Sequence, residues 1–192
     1  MDAAVIAKFI VLAGLITAPS PHMDRDICFN ATGDAAIAAC TRLIASGHFS
    51  GDSLAAVYYN RGITWYDKGE FDRALEDYDR ALLLNPNFAQ AVFNRGNAYD
   101  SKGEYDQAIR DYDRAIDLDP TYARAFNNRG VAYCKKGDYG RAVRDYDRAI
   151  QLAPDYAEAL FNRGMAKLKM GEMHGANADV AAARAIDPNI SP

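Results

Sequence analysis

From residue 55 onward, apolar, small and polar positions recur in one fixed order with a period of 34 residues. Prolines mark the period at 86, 120, 154 and 188. Glycines mark it at 62, 96, 130 and 164, and again at 69, 103, 137 and 171. Four units follow, at 55–88, 89–122, 123–156 and 157–190. The second reads AQAVFNRGNAYDSKGEYDQAIRDYDRAIDLDPTY and the third ARAFNNRGVAYCKKGDYGRAVRDYDRAIQLAPDY. A repeat of this length is the mark of a stacked array rather than of one globular core.

Each unit divides into two helices. The first is expected to begin near the proline, because Asn85-Pro86, Asp119-Pro120 and Asp187-Pro188 place a capping side chain before a residue suited to a first helical turn. Lys68-Gly69, Lys102-Gly103, Lys136-Gly137 and Met170-Gly171 end it, with Gly just past the last turn. The second helix follows at once, so the pair lies antiparallel. Gly96 with Ala108 and Ala115, Gly130 with Ala142 and Ala149, and Gly62 with Ala74 and Ala81 are expected to keep the hairpins close. A helix-interior Gly costs about 1 kcal/mol against Ala, a cost offset where nothing larger fits. Tyr99, Tyr105 and Tyr112, with their equivalents one unit away, fill the space that remains. One unit cannot offset an ordering entropy of roughly 50 kcal/mol, so stacking on neighbours supplies the burial.

The order of a bulky residue, Gly and an aromatic, then Ala, aromatic, Ala and Pro resembles the tetratricopeptide repeat family over residues 55–190, and with the N-terminal segment its bacterial exported members. The resemblance implies an all-α fold, a right-handed superhelix (α-solenoid) of helix hairpins. It has four clear repeats plus a degenerate N-terminal one. The first helices then line a concave groove and the second helices face outward.

Residues 1–22 hold an apolar run, Phe9 to Ala18, between Lys8 and Pro19. Ten residues are too few to span a bilayer and suit the core of an export signal. An apolar N-terminal helix, structural or lying at a membrane surface, is the alternative. The expected location is periplasmic or secreted, against a cytoplasmic or membrane-associated one. Residues 23–54 read as a degenerate helix hairpin with Cys28 and Cys40 on either side of its turn. Antiparallel helices can bring the two into bridging distance in an oxidising compartment; two buried thiols are the alternative. Cys134 has no partner in sight.

Asn-Arg-Gly recurs at Asn60, Asn94, Asn128 and Asn162. By the family geometry, residues three or four places from each Asn share the groove face. That face carries Tyr59, Ile63 and Tyr66; Gln90, Phe93 and Asn97; Arg124, Asn127 and Val131; Glu158, Phe161 and Met165. The four Asn resemble the asparagine ladder in the helical-repeat arm of O-linked N-acetylglucosamine transferases. There they would pair with the backbone of an extended peptide or protein segment. The other reading is that each Asn bonds to the adjacent helix and fixes repeat spacing. The Arg after each Asn is expected to pair with an Asp of a second helix, among Asp77, Asp111, Asp145 and Asp179. Those acids with Arg80, Arg114 and Arg148 also read as a solvated outer face. The clamp with which related modules hold a chaperone's C-terminal carboxylate is Lys, Asn, Asn, Lys and Arg; it meets Tyr59, Ile63, Asn94, Arg124 and Asn128 on the first three repeats and Phe93, Asn97, Asn128, Glu158 and Asn162 on the last three, so that partner is not expected.

The final helix loses the Asp-Tyr-Asp-Arg run and offers Ala178, Ala181, Ala182 and Ala185, an expected self-association face. The formal charge of −4 gives no basic excess for nucleic acid. The 3 His stand apart from any Cys or acid at ligand spacing, and no phosphate-binding, nucleophile-elbow or metalloprotease motif occurs. No metal or cofactor is expected, and no catalysis: the chain reads as an interaction scaffold, with self-assembly as the alternative.

Overall fold

The computed structural model describes residues 20–191; the apolar run at 9–18 lies outside them. Among the described residues ten helices form an α-solenoid of five antiparallel hairpins, the right-handed superhelix that the repeat implies. They are α1 (Pro21–Asn30), α2 (Gly33–Ser46), α3 (Gly51–Asp67), α4 (Phe71–Leu84), α5 (Ala89–Ser101), α6 (Tyr105–Leu118), α7 (Ala123–Lys135), α8 (Tyr139–Leu152), α9 (Ala157–Lys169) and α10 (Met173–Ile186). Each helix packs on the next, and α3, α5, α7 and α9 also touch in succession along one side. Among the described residues no helix is long and apolar enough to cross a membrane.

The hairpin turns follow from their glycines. Gly69 has φ +76°, and Glu70 N–H donates to the Trp65 carbonyl (2.9 Å) while Gly69 N–H donates to Tyr66 (2.8 Å). This is a Schellman closure, and it recurs at Gly103, Gly137 and Gly171. The helix starts differ from expectation. The first helices begin at Ala89, Ala123 and Ala157, three residues past each Pro. Asn85 and Asp119 cap the ends of α4 and α6 and not a helix start; their side chains accept from the N–H of Asn87 (3.0 Å) and Thr121 (2.9 Å). The Pro belongs to a turn, because the residue before a Pro is driven out of helical conformation and its short polar side chain closes an Asx turn instead.

The helix-interior glycines make room for a ring. A Cβ on Gly130 would stand 2.7 Å from Cε1 of Tyr146, and Gly62 and Gly96 meet Tyr78 and Tyr112 in the same way. Those three tyrosines are each 1% exposed. Burial pushes their phenols well above the usual range. In α10 the place is taken by Val180, against Gly164. Gly130→Ala should therefore lower stability by about 1–2 kcal/mol, overpacking outweighing the gain in helix propensity. Gly140, in the first turn of α8, has open space around a new Cβ. Gly140→Ala should be neutral or stabilising by up to about 1 kcal/mol. Urea denaturation of the two variants checks the contrast; equal effects would show that the ring contact is slack.

The recurrent Arg stitches two levels at once. Arg61, Arg95, Arg129 and Arg163 grip Asp77, Asp111, Asp145 and Asp179 bidentately, with Nε and Nη2 to the two carboxylate oxygens at 2.5–2.8 Å. Their Nη1 reaches back to the preceding unit, to Thr41 Oγ1 (2.9 Å), Asp79 (2.7 Å), Asp113 (2.6 Å) and Asp147 (2.7 Å). The reading of Asp77, Asp111 and Asp145 as part of a solvated face is thereby corrected: they are buried under the guanidinium groups. Lys68–Asp34, Lys102–Asp72 and Lys136–Asp106 add exposed staples between hairpin tips, worth little individually.

In the first hairpin Cys28 and Cys40 are joined, with Cα atoms 4.9 Å apart. Cys40 is the eighth residue of its helix, the place held by Tyr78, Tyr112 and Tyr146 in theirs. Here a covalent bond stands where the Gly–Tyr contact stands elsewhere. Asp24 and Arg42 form the local bidentate pair, with the acid on the first helix and the base on the second.

Candidate functional site

The side along which α3, α5, α7 and α9 succeed one another carries a relay of side-chain amides. Asn94 donates to the Tyr59 hydroxyl (3.0 Å), and Asn97 to Asn94 Oδ1 (3.3 Å). Asn128 donates to Asn97 Oδ1 (2.9 Å), which also accepts from the Tyr112 hydroxyl (2.9 Å). Asn127 donates to Asn128 Oδ1 (3.2 Å) and to Glu158 (3.3 Å), and its own Oδ1 accepts from Asn162 (3.1 Å). The line runs unbroken from the first clear unit to the fourth. Asn60 stands outside it, donating to the Ala56 carbonyl of its own helix (2.7 Å).

The relay decides how these groups can be used. A primary amide has two N–H donors and an oxygen with two lone pairs. In Asn94, Asn128 and Asn162 one N–H is held by the neighbouring unit. The second N–H is left for another acceptor. The two readings of the asparagines are therefore compatible: lateral bonds fix their orientation and leave a donor over.

Not every residue assigned to the groove face is open to it. Phe93 and Phe161 are 1% and 6% exposed, and Asn127 is fully buried. Tyr122 (ring centroids 4.8 Å) and Arg124 (5.4 Å) lie on Phe93, Phe161 joins the core around Leu160 and Ala183, and Asn127 is enclosed by its three amide and carboxylate partners. They are the floor of the groove, not its lining. Tyr59 packs its ring on Phe88 (4.7 Å) and presents its hydroxyl to Asn94. Arg124 is exposed and has no ion pair among the described residues. Ala178, Ala181, Ala182 and Ala185 are all exposed on α10.

Three cavities open along the relay. The first, about 380 Å³, lies among Tyr59, Ile63, Gln90, Asn94 and Arg124. The second, about 370 Å³, is lined by Asn97, Asp100, Tyr112, Asn128 and Val131, with Glu158 and Tyr156 at one side. Burial pushes the Tyr156 phenol up to about 12. The third, about 300 Å³, is lined by Val131, Cys134, Tyr146, Asn162 and Met165. Burial pushes the Cys134 thiol up, so it stays protonated at neutral pH. Asp100 escaped the sequence reading. Its Oδ2 meets Lys135 (2.5 Å), and its buried Oδ1 has no hydrogen-bond partner among the described residues, an omission that costs about 1–3 kcal/mol unless a ligand or water meets it. Its signal in the sequence was an acid where the corresponding places hold Tyr66 and Cys134.

The geometry agrees with known proteins. Family models described as TPR repeat and tetratricopeptide repeat match residues 55–88, 77–110, 96–137 and 130–171. A comparison with curated proteins returned no match. Among solved structures, MamA from Desulfovibrio magneticus RS-1 is 16% identical, covers 89% of this chain and 94% of its own, and superposes with a TM-score of 0.77. BtubC from P. vanneervenii is 19% identical over 82% of this chain and 75% of its own, with a TM-score of 0.73. At such identities the likeness speaks for the fold alone. The second TPR of Spaghetti (RPAP3), solved with the HSP90 peptide SRMEEVD, is 32% identical over 52% of this chain and 92% of its own, with a TM-score of 0.51. With repeats matched from residue 55 to residue 171, the chain belongs to the tetratricopeptide repeat family.

Proposed function

We propose that the protein is a non-catalytic scaffold that holds an extended peptide or protein segment along the relay of Asn94, Asn97, Asn128 and Asn162. The fold is that of protein-interaction scaffolds in general, and the relay is the observation that carries the finer reading. Amides pre-oriented by lateral bonds bind at lower entropic cost than free ones. The RPAP3 module, bound to an HSP90 peptide, is a family precedent for a peptide ligand. A chaperone tail remains unexpected here, because the exposed cation Arg124 stands without the companion bases that a terminal carboxylate needs. We further place the protein in the periplasm or outside the cell. The Cys28–Cys40 bridge supports an oxidising compartment, as does the apolar run at 9–18.

A second reading rests on α10. Its exposed Ala178, Ala181 and Ala182 lie where preceding units carry charge, Ala181 in register with Asp79, Asp113 and Asp147, and the exposed Ala185 extends the same helix. That face suits a second copy of the chain. One experiment separates the two. The Asn94/Asn128/Asn162→Ala variant, checked for an unchanged helical signal, should lose the partners that co-purify with the wild-type chain while its size by light scattering stays the same. Partners retained in full by the variant would exclude the groove, and a strict monomer at high concentration would exclude the α10 reading.

A further inference from the structure

The second and third cavities are one structural position written twice. Asn97, Asp100, Tyr112, Asn128 and Val131 of the second become Val131, Cys134, Tyr146, Asn162 and Met165 of the third, each 34 residues on. The walls are conserved between the two: a buried Tyr and a relay Asn. The variable residues change the chemistry. Asn97 and Asp100 make the second cavity polar; Val131, Cys134 and Met165 make the third mainly apolar, since a protonated Cys packs as a small hydrophobe, and Lys135 and Lys169 beside them disfavour a second cation. Asp100 and Glu158 both line the second cavity; the Asp100 Oδ1 is buried without a donor among the described residues, and its Oδ2 is shared with Lys135. Arg124 borders it on the side of the first cavity and opposes a run of positive charge.

We infer that the groove reads a segment carrying a single Lys or Arg and, about three residues away, an aliphatic or Met side chain; this deepens the groove reading and rests on it. The basic side chain enters the second cavity, donates to Asp100 and lays its stem against the Tyr112 ring. The apolar one enters the third. The separation comes from the array: packed helices stand on the order of 10 Å apart, about three residues of extended chain.

The test is selection of random linear peptides on the full, oxidised chain, followed by binding measurements on one enriched peptide. Enrichment of a basic and an aliphatic position at one fixed separation is expected. Replacing the basic residue by Ala should weaken binding about tenfold, the worth of a charge-assisted hydrogen bond. In Asp100→Asn that replacement should make little difference. Selection on Cys134→Asp should turn the aliphatic position basic. Peptides that weaken with Asn128→Ala yet show no basic preference, or keep it undiminished in Asp100→Asn, overturn the inference and leave the groove reading standing. Peptides indifferent to Asn128→Ala, or no enrichment at all, overturn both. Because the peptide-side substitution is read on the wild-type chain, a poorly folded variant does not blunt the result.

Discussion

Arg129→Met should cost about 3 kcal/mol at neutral pH, the lower end of the range for breaking a buried pair, because the guanidinium is itself partly solvated. Asp145 is 6% exposed and both of its oxygens are held by Arg129. The substitution leaves a buried carboxylate with no partner, and strands Asp113 of the preceding unit as well. Burial already pushes the Asp145 carboxyl up, and the guanidinium is what opposes that push. Without Arg129 the folded-state pKa climbs further above the unfolded value. A carboxyl raised in the folded state loses stability as pH rises, so the variant's deficit should be small near pH 4 and grow towards pH 7. Thermal melts across that range check the sign. The double variant Arg129→Met/Asp145→Leu should recover most of the loss and flatten the pH profile. Groove binding should survive in both, since the pair lies between the helices of a hairpin. Loss of binding in a folded Arg129→Met protein would show that the stitch also shapes the groove.

Reducing the Cys28–Cys40 bridge should cost about 3 kcal/mol on the chain-entropy account of a loop this short. In an array stabilised by nearest neighbours the loss should stay local. Among the described elements α1 and α2 pack on each other and on α3 alone, with the Asp24–Arg42 and Lys68–Asp34 pairs and the Arg61–Thr41 bond as side-chain ties. Hydrogen exchange after reduction should therefore quicken in α1 and α2 and remain unchanged from α7 onward. A uniform change along the chain would mean that the hairpin folds as one unit with the rest; no change would mean that the bridge adds nothing.

Most of the hairpin architecture was legible in the sequence, because the features that set it are local. A Gly after the last helical turn and a small residue at fixed spacing act within one unit, so repetition exposes them. The Arg–Asp pairs were legible for the same reason, being 16 residues apart in all four units. The helix starts were misplaced, because an Asn or Asp before Pro serves an Asx turn as well as a cap. The groove was only partly legible. Phe93 and Asn127 sit at equivalent places, yet one is covered by rings and the other by amides from the next unit. What covers a side chain there comes from residues about 35 positions away, and the periodicity of one helix carries no information about them. Asp100 was invisible until its unmatched oxygen could be placed beside a cavity.

The stitches are indifferent to how many units stand between the ends. Excising 89–122 would set Asp79 and Asp72 where Arg129 and Lys136 now find Asp113 and Asp106, so both cations would still meet a carboxylate, while Lys135 would exchange Asp100 for Tyr66. Recombination can thus lengthen or shorten this chain in whole units from within while keeping these Arg and Lys stitches. Growth beyond α10 is different: Ala181 offers no carboxylate, so the Arg of a unit added there would keep its own Asp but find no partner for its Nη1.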